Sequence, residues 1–290
     1  MPRSPERGWA RRVTVFAVFA ALILVAWEGV KLVGGDPWRG DGWVWDPPLK
    51  IWFASDLLLP HVWDIFGALA APVQRGSDAS LAQFLVGAAL YTWREAAIGF
   101  AVGAVIGIGL AAAFVHSRLL ERALVPYVIA SQTIPIVALA PMIVFAFGPD
   151  VLSVVIIATY LTFFPVTIAM IRGLRSPDPR ALELMRSYAA SRRSIFWKLR
   201  MPASLPYLFT ALKVSATASI VGAIVGEGPG QIRDGLGRAI INFNNQYISG
   251  PEKLWATIVA SAVLGIVFFG LIRLGELVAL RGRGAIPDAA

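Results

Sequence analysis

The chain has 290 residues, 57% of them hydrophobic and only 15% charged, where soluble domains average about 45–50% and about 25%. That balance excludes an ordinary soluble domain, and the absence of cysteine excludes disulfides and cysteine-ligated metals. A net charge of +8 would suggest nucleic acid in a soluble protein, but here the basic residues gather at the ends of apolar runs. Membrane topology explains them, and no nucleic-acid partner is expected.

Six apolar runs follow, each long enough for a hydrocarbon core of about 30 Å. They cover about residues 13–33, 91–115 with a helical lead-in from Leu81, 124–147, 151–171, 205–226 and 254–280. The predicted fold class is therefore all-α: a polytopic membrane bundle of about six transmembrane helices. Arg and Lys cluster in the N-terminal tail, at Arg118 and Arg122, in the stretch 172–204 and near the C-terminus. That asymmetry predicts both termini in the cytoplasm. The first run is read as an uncleaved span, because Trp27, Glu28, Gly29 and Val30 offer no small-x-small site.

Residues 34–80 read as a long external loop rich in tryptophan and aspartate, including Trp38, Trp45, Trp63, Asp36 and Asp56. Tryptophan at the headgroup level accounts for that composition. In the second span Gly99, Gly103 and Gly107 repeat every fourth residue, with Gly109 nearby. This is a helix-packing stripe. Arg94 and Glu95, near the outer end of that span, read as charges that pair locally or snorkel.

The third run carries Pro126, Pro135 and Pro141. Prolines free backbone carbonyls, which inside a membrane need a polar partner or a wet cavity. With Gln132 and Thr133 beside Pro135, this run is expected to line a path or pack internally. Tyr160 and Thr217 are further candidates for polar path contacts. Lys213 reads as an anchor. Glu227 ends the fifth run just before Gly228, Pro229 and Gly230, and is a candidate gate residue, facing Arg233 or Arg238.

No phosphate-binding loop GxxxxGK[ST] occurs, and His61 and His116 form no metal-binding pair. No catalytic residue, metal or cofactor is expected on this chain. The most distinctive stretch is 172–204, where Arg172, Arg175, Arg180, Arg186, Arg192, Arg193, Lys198 and Arg200 face only Asp178 and Glu183. Helical apolar spacing at Leu184, Tyr188, Ile195 and Leu199 predicts a helix at the cytoplasmic face, open to another protein.

Within it, ELMRSYAASRRSIFWKLRMP at 183–202 resembles the EAA loop of the permease subunits of bacterial ABC importers. Glu183 takes the acid position, Leu199 the isoleucine and Pro202 the proline. Leu184 and Met185 replace two alanines, Ala189 replaces a glycine, and Met201 replaces a leucine. TWREAAIGFAVGAVIGIGLAAAF at 92–114, IPIVALAPMIVFAFGPD at 134–150, SLPYLFTALKVSATASIVGAIVGE at 204–227 and GLGRAIINFNNQY at 235–247 are similar to the neighbouring segments of that family. The likeness covers about residues 80–280 and is nearest the nitrate, sulfonate, taurine and thiamine-precursor branch.

The resemblance implies an N-terminal region 1–79, a permease core 80–280 and a tail 281–290. It implies a multi-pass protein of the bacterial plasma membrane that dimerises. It also implies a cytoplasmic ABC ATPase docked at Glu183, Ser187, Ala189, Ala190, Ser191, Leu199 and Pro202, and an extracytoplasmic binding protein that delivers a small polar solute. Ion-coupled secondary transport and a membrane scaffold are the alternatives. The first would call for inverted repeats and buried acids, and the sequence displays neither.

Overall fold

The computed structural model describes residues 5–40, 43–74, 76–228 and 234–281. Pro229, Gly230 and Arg233, named above, lie outside the described residues, as does the tail beyond Arg281. In chain order the elements are α1 (Pro5–Gly34), β1 (Trp38–Gly40), β2 (Trp43–Trp45), a 3-10 turn (Trp52–Ala54), α2 (Val62–Ala70) and α3 (Leu81–His116). Then come α4 (Arg118–Ser131), α5 (Ile136–Phe147), α6 (Val151–Arg175), α7 (Pro179–Ser187) and α8 (Arg192–Ile195). A π turn (Phe196–Arg200) joins α8 to α9 (Met201–Glu227), and α10 (Leu236–Asn245) and α11 (Pro251–Ala279) complete the chain.

Five helical stretches are long and apolar enough to cross a membrane: Thr14–Gly34, Leu81–His116, Val151–Arg175, Arg192–Glu227 and Pro251–Ala279. Where the sixth span was expected, the chain forms two helices with a sharp bend between them. α4 and α5 meet at 99°. Pro135, extended at φ −61° and ψ 122°, starts α5 where a straight helix would have continued. Within the single chain α4 buries none of its residues and α5 buries Ala140 and Val144.

The chain divides into two compact units. One takes residues 1–84 with 242–258. Its external stretch is a folded structure, with β1 and β2 paired antiparallel and Trp38 opposite Trp45. Trp38, His61 and Trp63 pack ring on ring, with His61 stacked on Trp63 at 4.1 Å. Lys31 is fully buried and donates to Asp56 Oδ1 at 2.5 Å and to the Leu59 carbonyl at 2.6 Å. Glu28 holds His61 Nδ1 at 2.7 Å and accepts the Val62 N–H at 2.8 Å. A buried lysine costs much less when paired and hydrogen-bonded, so these bonds fasten the segment to α1.

The other unit takes residues 85–241 with 259–290. α6 is its axis. A Cβ on Gly99 would stand 2.5 Å from the Ala158 Cβ, one on Gly103 2.6 Å from the Thr162 Cβ, and one on Gly107 2.7 Å from the Phe163 carbonyl. The four-residue glycine stripe thus brings α3 against α6 backbone to backbone, as small-residue faces do in lipid. Gly109 meets open space and is no part of the stripe. On α9, Gly222 approaches Ala158 and Gly226 approaches Ile157 and Val154. Val154, Ala216, Ile220 and Ala223 fill the core between them with Ala96 and Phe268. Lys213 pairs with Glu276 of α11 at 2.7 Å, both partly buried, which makes it a helix-to-helix anchor.

Candidate functional site

The basic stretch is not one helix. α6 ends at Arg175, and Asp178 caps the nine-residue α7 by accepting the Arg180 N–H at 2.8 Å, with Pro179 as its first residue. α7 stops at Ala189, the one described non-glycine residue with positive φ, at 53°. The Ala189 N–H reaches the Arg186 carbonyl at 2.9 Å and the Ala190 N–H the Met185 carbonyl at 3.0 Å. That crossed pair is a Schellman motif with Ala189 in the left-handed position glycine usually fills. Ser191 then caps α8, accepting the Ser194 N–H at 3.2 Å.

Among the expected coupling residues, Glu183 is exposed and forms no ion pair among the described residues. Ser187 bonds back to the Leu184 carbonyl at 2.8 Å. Glu183, Leu184, Ser187 and Tyr188 are exposed, whereas Leu182, Arg186 and Ala190 turn toward a cleft. Leu199 sits in the π turn, where the Met201 N–H reaches back to the Phe196 carbonyl. Pro202 follows directly; it lacks an N–H, and its ring would crowd the Lys198 carbonyl in a regular helix. A wider turn just before it relieves that crowding. Phe196, Met201 and Leu205 pack against Ala111, Met170, Leu174 and Leu208, so the segment is rooted in the core.

Glu227 stands in a different setting from the one expected. It is fully buried and pairs with no arginine among the described residues; Arg238 is not its partner. Its Oε2 accepts the Gly237 N–H at 2.6 Å, while Thr92 Oγ1 of α3 accepts the Leu236 N–H at 2.9 Å. The first N–H groups of α10 are thereby satisfied by two side chains from other helices. The fit is tight: a Cβ at Gly237 would strike the Ile224 carbonyl, and one at Gly235, φ +105°, the Glu227 carboxylate.

Glu95 was expected to pair locally or snorkel. It is 1% exposed, its nearest polar neighbours include Glu227 and Tyr91, and both its oxygens lack a partner at hydrogen-bonding geometry among the described residues. Buried acids of the kind an ion-coupled transporter uses are therefore present. The signal was in the spacing: Glu95 lies four residues before Gly99, on the stripe that packs against α6.

The remaining path candidates gather at the α4–α5 elbow. Tyr160 donates its hydroxyl proton to the Ser131 carbonyl. Thr133 Oγ1 bonds the Ala130 carbonyl at 2.7 Å, Gln132 caps α4 with a buried Nε2 that has no hydrogen-bond partner among the described residues, and Pro135 opens α5. Thr217 gives its hydroxyl to Val214 of its own helix at 2.8 Å and joins neither cluster by hydrogen bond.

Residues 103–276 match the family described as binding-protein-dependent transport system inner membrane component. The chain belongs to that family. The permease is 37% identical over 186 residues to the formylaminopyrimidine transport permease protein ThiX of Halalkalibacterium halodurans, covering 64% of this chain and 73% of that one. It is 32% identical over 166 residues to the riboflavin transport system permease protein RibX of Chloroflexus aurantiacus, covering 57% and 61%. Against the nitrate import permease protein NrtB of Leptolyngbya laminosa it is 25% identical over 228 residues, covering 78% and 76%. These relatives fall in the branch expected from the sequence. The protein is an all-α, multi-pass inner-membrane permease subunit of the ABC transporter class.

Proposed function

We propose that this permease is the membrane half of an ATP-driven importer and that it moves a small polar solute into the cytoplasm. The observation that carries the reading is α7: a capped, amphipathic helix without a buried residue, rooted through the π turn in the permease core. The sequence holds no phosphate-binding loop, so the energy is supplied by a separate cytoplasmic ATPase that grips the exposed face of α7 around Glu183 and Ser187. Both termini lie in the cytoplasm, on the charge asymmetry of the loops. An extracytoplasmic binding protein delivers the solute, and two copies of the permease enclose the path. The exposed apolar face of α5, with Val137, Met142 and Phe145, is a surface for the second copy.

The elbow supports the path. Irregular backbone at membrane depth is tolerated where it is buried in protein or lines a wet cavity, and α4 and α5 break in that manner beside Gln132, Thr133 and Tyr160. Those groups are neutral hydrogen-bonders. They favour a neutral polar cargo, such as the heterocycles named for two of the relatives, over an oxyanion. The named residues, the domain limits 1–79, 80–280 and 281–290, and the absence of a cofactor on this chain belong to this proposal.

The test is reconstitution. Co-expressed with its ATPase, the permease is expected to co-purify with it and to give ATP-dependent uptake in vesicles. Robust ATP hydrolysis by the permease alone, or uptake driven by an ion gradient without ATPase, would remove the reading.

A further inference from the structure

The inner side of α7 faces a cleft that docking of the outer side does not use. Its volume is about 1140 Å³, just above the ligand-pocket range of about 300–1,000 Å³. Arg118, Arg122, Arg175, Arg186, Arg192 and Arg200 line it, drawn from α4, the end of α6, α7, α8 and the π turn. One carboxylate, Glu121, also lines it, and Arg175 takes that charge at 2.5 Å. The other five guanidinium groups form no close ion pair among the described residues, although the Glu121 charge is also felt by Arg118 and Arg122.

Topology alone does not require this convergence. Positive charge near a span end sets orientation wherever the side chain points. Arg172, Arg180, Arg193 and Lys198, from the same stretch, do not line the cleft. Five elements bring like charges to the lining of one space; Arg118, Arg122, Arg175, Arg186 and Arg192 are exposed, so water screens their repulsion in part, and an anion among them would relieve the rest. Guanidinium is the group suited to hold phosphate oxygens in pairs. Val115 and His116 from the end of α3 and Arg175 from the end of α6 also line the cleft, and the exposed Trp197 packs edge-on against its lining residue Phe196. Tryptophan is the residue of the headgroup layer.

We infer that this arginine-lined cleft binds a phosphate-bearing anion, with an anionic phospholipid headgroup and a free phosphate compound as its two possible sources. On the orientation proposed above, the lipid would come from the cytoplasmic leaflet, whose anionic surface attracts basic segments. The bound anion would brace α7 from behind, leaving its outer face free.

The full chain in neutral detergent tests this without any transport assay. Dioctanoyl phosphatidylglycerol is expected to bind and raise the melting temperature, dioctanoyl phosphatidylcholine is not, and pyrophosphate is expected to compete on the unmutated chain. Arg186→Gln with Arg192→Gln should weaken binding by about tenfold or more, while Arg172→Gln with Arg180→Gln, the same charge loss outside the cleft, should change it by less than about twofold. Binding of pyrophosphate but not phosphatidylglycerol would support the site and assign it to a free phosphate compound. Equal weakening by both pairs, equal binding of phosphatidylcholine, or no binding of either phosphate probe overturns the inference. Loss of ATPase attachment in the first pair with phosphate binding intact also overturns it, and marks the cleft as a protein interface. Because binding is read on the isolated chain, its failure leaves the importer reading standing.

Discussion

α7 and α10 are both helices of about ten residues that follow a long span, and they are stabilised in opposite ways. α7 is complete in itself: Asp178 caps its start, a Schellman turn closes its end, and none of its residues is buried. α10 borrows its start from Thr92 of α3 and Glu227 of α9, and sinks Leu236, Ala239 and Phe243 into the protein. A helix whose caps are its own can be displaced as a unit with its hydrogen bonds intact. A helix capped by its neighbours is coupled to any shift of theirs. The first construction suits a grip for another protein, the second a closure that senses how α3 and α9 stand.

The sharpest way to break the contrast is Glu227→Ala. It strands the Gly237 N–H in a buried setting, at a cost of about 1–3 kcal/mol for the orphaned donor, and opens a cavity beside Glu95. The melting temperature in detergent should fall and uptake should be lost, whereas Glu227→Gln, which keeps an acceptor, should melt close to the unmutated chain. An unchanged melting point in the alanine variant would show that α10 does not depend on the cap.

Glu183→Lys should leave melting and membrane insertion unchanged, since this side chain is exposed and forms no ion pair among the described residues. It should weaken ATPase attachment by about tenfold, the scale of one misplaced interface charge of about 1.4 kcal/mol. Full attachment with coupled uptake would remove Glu183 from the contact. The smallest effect is expected at Ala189. Glycine there relieves a left-handed alanine, worth about 1 kcal/mol, partly offset by the freer unfolded chain. Ala189→Gly should therefore raise the melting temperature slightly, and Ala189→Val should lower it, because a β-branched residue fits that conformation worst. The opposite order would contradict the Schellman assignment.

Hydropathy made the long helices legible, and the glycine spacing made the α3–α6 contact legible, because both depend on periodic patterns along one element. The α4–α5 elbow was not, since a hydropathy window sums composition and carries no direction; Pro135 is the only local hint of the 99° bend. Glu95 was misread through its neighbour. Adjacent helical residues do not share a face, so Arg94 is exposed while Glu95 turns inward on the glycine side. Glu227 could be placed at a helix end but not under α10, because its contacts come from residues across a chain reversal. At Ala189 the resemblance placed an alanine where the family has glycine; the reason glycine suits that position is the sign of φ.

The π turn at Phe196–Arg200 sets the rotational phase of α8 relative to α9, within the helical stretch Arg192–Glu227. It holds one residue more than an α turn, and one residue is about 100° of helical rotation. Arg192 and the rest of α8 therefore point about a quarter-turn away from where an unbroken α-helix running down into α9 would aim them. Removing one residue from 196–200 would leave a helix able to span the membrane, yet it would turn α8 by about that angle and pull on the short link 188–191 that joins it to α7 and Glu183. The bearing of the proposed ATPase grip is thus written in a count of residues, several turns away from the grip itself.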